Sequence, residues 1–96
     1  MEQQNPQQIQ ANRVVMQTIG HMLKKTRESK SLTIDQVNKK TRIQTDVLAA
    51  LEEGSCDQML SYTYVKSFLK KYCDFLGLNP AEILQGYPVA RQEKMS

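Results

Sequence analysis

The sequence predicts an all-α domain of five short helices, on three observations. Large apolar residues recur at spacings of three and four along most of the chain. Capping residues and glycines punctuate those stretches where helices should start and stop. Only four glycines and no tryptophan stand among 96 residues, a poor supply of tight turns for a sandwich or barrel. The length suits one domain, and 40% hydrophobic with 24% charged residues provides for one compact core.

The elements follow in order. Residues 1–11 begin MEQQNPQQIQ, with five glutamines and Ile9 as the lone large aliphatic residue beyond Met1, and are expected to form a disordered arm. The folded domain is expected over residues 12–86. A first helix over residues 12–29 carries Val15, Ile19, Met22, Leu23 and Thr26 on one face, with Lys24, Lys25 and Glu28 opposite. Thr33 then precedes Ile34-Asp35-Gln36. Its hydroxyl can take a free backbone amide while Gln36 reaches back, which starts a second helix that ends near Thr41. Ile34 and Val37 point inward there, and Lys39 and Lys40 suit the negative end of the helix dipole. A third helix spans residues 45–53 with Val47, Leu48 and Leu51 inward, and Gly54 supplies a left-handed stop. The fourth, the most aromatic, covers residues 61–76 and ends at Gly77. Asn79 as cap, Pro80 in the first turn and Glu82 near the positive end open a short fifth helix. Residues 87–96 lack periodicity and are expected to form a flexible tail, with the role of a juxtamembrane linker if an anchor follows.

Several function classes are excluded or disfavoured by composition. The longest apolar run is Val47 to Leu51, far below the roughly twenty residues of a spanning helix. The polar N-terminus is unlike a signal peptide, so a soluble cytoplasmic domain is expected. Cys56 and Cys73 are two thiols where a secreted fold of this size usually has four or more, and are expected to be reduced. With His21 they are three possible ligands at unrelated spacing, short of a closed zinc site, and no catalytic constellation can be built around them. No cofactor or metal is implied, and no enzyme. Thirteen basic against ten acidic residues give a net charge of +3, compatible with nucleic acid or an acidic protein and requiring neither.

A short second helix followed closely by a third suggests helix-turn-helix geometry. The stretch LKKTRESKSLTIDQVNKKTRIQTDVLAALEEG, residues 23–54, resembles the Cro/phage-repressor type, with residues 45–53 in the recognition-helix slot. The stretch SYTYVKSFLKKYCDFLGLNPAEIL, residues 61–84, is similar to the fourth and fifth helices of the RodZ family. There a Y-x-x-G-F-[LI]-R-x-Y-A-x-x-L-G-[LI]-x-P-x-E pattern matches Tyr64, Phe68, Leu69, Tyr72, Leu76-Gly77-Leu78, Pro80 and Glu82, with Ser67, Lys70 and Cys73 replacing Gly, Arg and Ala. The resemblance implies a cytoplasmic domain of a single-pass bacterial membrane protein that binds the actin-like filament protein MreB and helps set rod shape.

This sequence departs from the pattern in three places. Ser31 replaces the glycine that usually follows the first helix, so a serine is expected at positive φ, at a cost of about 1 kcal/mol. Asn38 stands where a small alanine lets the motif helices approach. No transmembrane stretch follows Glu82, which fits either an excised cytoplasmic domain or a protein without the anchor. In the resembling repressors Arg27 and Glu52 are a pair. Their flanking core positions, Leu23 and Leu51, point to a partly buried structural ion pair here.

Two function classes compete. A DNA-reading helix needs cationic and amide side chains facing base edges. Residues 44–53 offer Gln44 and Thr45, then Asp46, Glu52 and Glu53 and no base, although Lys39, Lys40 and Arg42 upstream could meet phosphate. Around the fourth helix, at about 100° per residue, Val65, Leu69, Tyr72 and Leu76 suffice for a core face. Tyr64 and Phe68 fall at its margin beside Lys71. They either complete the core against Tyr62 or the fifth helix, or form an aromatic contact pair for a protein partner, with Lys66, Lys70 and Lys71 favouring an acidic one. The resemblance places the aromatic pair of RodZ proteins at these two positions and makes the protein-binding adaptor the leading function, with a Cro-type transcription regulator as the alternative. DNA binding, measured by fluorescence anisotropy, should show no sequence preference, and any affinity should vanish as salt is raised. A salt-resistant preference for one sequence over scrambled competitor would establish the regulator instead.

Overall fold

The computed structural model of the chain describes residues 6–85, with side chains from Arg13 onward. Five helices follow one another: α1 (Pro6–Ser29), α2 (Ile34–Thr41), α3 (Thr45–Glu53), α4 (Tyr62–Leu76) and α5 (Pro80–Gln85), with a single 3-10 turn (Cys56–Gln58) between α3 and α4. No strand occurs among the described residues. The expected arm at residues 1–5 and the expected tail at residues 87–96 lie outside the described residues.

The first helix differs from the expectation in two ways. It begins at Pro6, so residues 6–11, read as part of a disordered arm, continue the helical backbone. Proline costs nothing in a first turn, where its absent N–H has no helical partner, and glutamine is a good helix former. Its buried face is Met16, Ile19, Leu23 and Arg27, whereas Met22, expected inside, is 37% exposed. The cause is Gly20. A Cβ built there would lie 2.6 Å from the Leu51 carbonyl oxygen and would collide with the Glu52 carbonyl. α1 therefore crosses the end of α3 on its bare backbone, and that crossing fixes which face of α1 turns inward.

Local chemistry sets the remaining boundaries. At the start of α2 the Thr33 hydroxyl accepts from the Gln36 amide at 3.1 Å while Gln36 Oε1 accepts from the Thr33 amide at 2.8 Å, a closed capping box. Two non-glycine residues adopt the left-handed region, Ser31 at φ 57° and Arg42 at φ 67°. Ser31 meets the expectation. Arg42 has no sequence signal, and its amide ends α2 by donating to the Asn38 carbonyl at 2.7 Å. Asn38 is tolerated because its side chain spans the turn, Nδ2 donating to the Ile43 carbonyl at 2.8 Å. Gly54, at φ 77°, closes α3, its amide 3.3 Å from the Leu51 carbonyl, while the Ser55 amide reaches the Ala50 carbonyl at 2.9 Å. Arg13 then ties α1 to that turn, Nη1 donating to the Gly54 carbonyl at 2.6 Å. Asn79 caps α5 by accepting from the Ala81 amide at 3.0 Å.

The core gathers Met16, Leu23, Val37, Ile43, Leu48, Leu51, Val65, Leu69 and Leu76 with the buried thiols of Cys56 and Cys73. Burial pushes both thiols up to about 11, which keeps them protonated and unreactive at neutral pH. Through this core runs one polar device. Arg27, only 9% exposed, donates from Nε to Glu52 Oε2 at 2.7 Å and from Nη2 to Oε1 at 3.0 Å. Its Nη1 donates to the Leu32 carbonyl at 2.7 Å. The fully buried Tyr72 completes the set, its hydroxyl donating to Glu52 Oε2. Burial, reinforced by that bond to a carboxylate, holds the Tyr72 phenol well above the usual range, and the bond to Glu52 raises the Arg27 guanidinium likewise.

Two stability outcomes follow. Arg27→Met or Glu52→Leu alone should cost about 3–5 kcal/mol by urea denaturation, because each strands a buried charge. The double substitution should cost clearly less than the sum, and additive costs would show that the pair does not act as a unit. Ser31→Gly should stabilise the domain by about 1 kcal/mol by relieving the left-handed serine, and an unchanged unfolding midpoint would show that the turn carries no strain.

Candidate protein-binding face

α4 is two-sided. Val65, Leu69, Tyr72, Cys73 and Leu76 face the core. Tyr64, Ser67, Phe68 and Lys71 are spaced i, i+3, i+4 and i+7, so at about 100° per residue they share one outer stripe. With Lys70 and Asp74 they line an open depression of about 400 Å³.

The two rings divide the roles that the sequence left open. Tyr64 is 60% exposed, the most exposed large apolar residue among those described. Phe68 is half-buried and packs against the core cluster, as do Tyr62 and Phe75. Phe68 thus roots the patch in the domain, and Tyr64 stands out of it.

The lysines separate too. Lys71 borders the aromatic pair and makes no ion pair among the described residues. Lys70 sits 3.5 Å from Asp74 one turn on, a surface pair of little energetic weight but enough to orient both side chains. Lys66, expected to join Tyr64 and Phe68, does not line the depression. It lies about 200° around the helix from Tyr64 and places its ammonium 5.9 Å from the centre of the Tyr62 ring. Lys70, expected with Lys66 and Lys71 to favour an acidic partner, does line the depression, whereas Ser67 and Asp74 were not singled out as contacts, although the spacing of Ser67 from Tyr64 signals this stripe.

The residues of the alternative function lie elsewhere. Lys39 and Lys40 at the end of α2, Arg42 in the turn, and Gln44 and Thr45 at the start of α3 are all exposed. The exposed acids of α3, Asp46 and Glu53, share that helix, and Glu52 is turned inward to Arg27. A phosphate approaching the slot meets cations on one flank and carboxylates on the other. His21 is exposed while Cys56 and Cys73 are buried, and no group of three His, Cys, Asp or Glu among the described residues could hold a metal ion. No helix among the described residues is long and apolar enough to cross a membrane.

Residues 22–83 match the family model of a helix-turn-helix domain. The chain is 41% identical over 70 residues to the cytoskeleton protein RodZ of Streptococcus pneumoniae (strain ATCC BAA-255 / R6), which covers 73% of this chain and 25% of that protein. It is 33% identical over 54 residues to the uncharacterized membrane protein YmfM of Bacillus subtilis (strain 168), covering 56% of this chain and 19% of that one. The chain therefore spans about a quarter of the first relative and about a fifth of the second. No solved structure matches it. The matched stretch takes in the whole motif from α2 to α3 and all of α4, and the chain belongs to the helix-turn-helix domain family, within which it is RodZ-like.

Proposed function

We propose that this domain is a protein-binding adaptor that docks the outer stripe of α4 onto an actin-like filament protein of the MreB type, at the cytoplasmic face of a membrane-anchored cytoskeletal assembly. The exposure of Tyr64 carries the proposal. A tyrosine ring left 60% in water, beside a half-buried phenylalanine and a lysine with no ion pair among the described residues, is the composition of an interface anchor. Phe68 gives the anchor a rigid base, so little side-chain freedom is lost on docking. Lys71 adds complementarity to an acidic partner, acting mainly on the association rate. The name of the pneumococcal relative, a cytoskeleton protein, and that of the Bacillus relative, a membrane protein, support the setting. The role is binding; no reaction is assigned to the domain.

The half-burial of Phe68 shapes the test. Tyr64→Ala should change stability by less than about 0.5 kcal/mol yet weaken co-sedimentation with MreB filaments at least tenfold. Tyr64→Ala with Phe68→Ala should abolish co-sedimentation and cost less stability than Leu69→Ala, for which a core cavity predicts about 2–5 kcal/mol. A folded double variant that still pellets with the filaments would overturn the assignment.

A further inference from the structure

A second apolar surface shares no residue with the α4 stripe. Along α1, Val14 is 59% exposed and Met22 is 37% exposed, and with Val15, Ile19 and Ile83 of α5 they line an open groove of about 400 Å³. Val14, Thr18 and Met22 follow at intervals of four and so form a ridge along α1. Thr18 at its centre is small, and its hydroxyl donates to the Val14 carbonyl at 2.9 Å, which leaves little polar demand there. A ridge of this spacing packs into the groove beside an identical ridge, the two helices crossing at about 50°. The surface is thus its own complement, as a twofold contact between like molecules requires.

Charge sets the sense of the pairing. The row on one side of the ridge, Val15 and Ile19, borders α5 and with it Glu82, the one charged group on the lining. The row on the other side is Gln17, His21 and Lys25. His21 and Lys25 are exposed, and neither makes an ion pair among the described residues. We propose that α1 pairs across this groove with α1 of a second copy of the chain, the helices running in the same sense, with Glu82 of each copy against Lys25 of the other. In that sense a twofold axis brings the α5 side of one helix to the Lys25 side of its partner. The opposite sense gathers both Glu82 carboxylates along one edge and both lysines along the other, where like charges repel. The contact is short, since Val14 to Met22 spans about 12 Å along the helix. It falls below the roughly 1,200 Å² of a stable interface, so the affinity is low, with Kd on the order of 100 µM. Because the two lined surfaces are separate, pairing through α1 leaves the side chains of the α4 stripe free to dock.

Sedimentation velocity of the full chain between about 10 µM and about 1 mM should show a rise from monomer towards dimer. Val14→Asp with Met22→Asp, both at exposed positions, should hold the chain monomeric throughout while the helical circular dichroism signal is retained. Lys25→Glu should weaken pairing at least fivefold, and a further Glu82→Lys should restore it. Val14→Cys alone should give cross-linked dimers with a short bismaleimide, because the native thiols are buried. A chain that stays monomeric at every concentration would overturn the proposal and leave the groove to another occupant. So would pairing that survives the paired aspartates. Cross-linking that succeeds only when Val14→Cys and Met22→Cys chains are mixed would overturn the parallel sense, and with it the contact between Glu82 and Lys25.

Discussion

The buried contact between Arg27 and Glu52 is the constraint to which most of the domain answers. Two charges are taken out of water, and the cost is offset only because every strong donor and acceptor in the group finds a partner. Arg27 lies near the end of α1 and Glu52 near the end of α3, so their paired bonds fix the rotation of one helix against the other. The third bond of Arg27, to the Leu32 carbonyl, holds the chain as it leaves α1 and delivers Thr33 to the cap of α2. Tyr72 extends the same network into α4. A helix-turn-helix core thus becomes continuous with the helix that follows it.

That continuity fixes how the outer face of α4 is held. Tyr72 and Tyr64 are both tyrosines on one helix, and environment alone divides them. Tyr72 is fully buried, with its hydroxyl engaged on a carboxylate and its proton firmly held. Tyr64 gives most of its ring to solvent. Rotation of α4 about its axis would break the Tyr72 bond and move Val65, Leu69 and Leu76 off the core, so the angle at which the outer stripe faces solvent is set from inside. The slot that a DNA-reading relative would use has meanwhile turned Glu52 into a structural ligand for Arg27 and kept Asp46 and Glu53 at its surface.

Much of this was legible in the sequence, and the gaps have physical causes. Caps are local chemistry, so Thr33 with Gln36, Gly54, Gly77 and Asn79-Pro80 mark their boundaries without tertiary information. The inward residues of α4 followed from periodicity because its apolar and charged residues separate cleanly. α1 was harder, since Val15, Ile19 and Met22 fit a helical repeat as well as Met16, Ile19 and Leu23 do. Only the approach of Gly20 to the α3 carbonyls decides between them, and that is a long-range contact. Arg42 in the left-handed region has no compositional signal at all. At the candidate site the aromatic pair could be placed on one stripe by angle. How deeply Phe68 sinks depends on neighbours from elsewhere in the chain, and Lys66 was grouped with the pair for its charge although it belongs to the far side of the helix.

The two left-handed residues have a consequence for how the molecule breathes. Ser31 and Arg42 bracket α2, one before its cap and one at its end, and each holds a backbone conformation that a side chain disfavours by about 1 kcal/mol. Both strains are released together when α2 detaches, while the Arg27–Glu52 bonds between α1 and α3 remain intact. α2 is short and carries only Val37 and Thr41 as buried residues, with Ile34 half-buried against the core. Its amides are expected to exchange with solvent ahead of those of α1, α3 and α4.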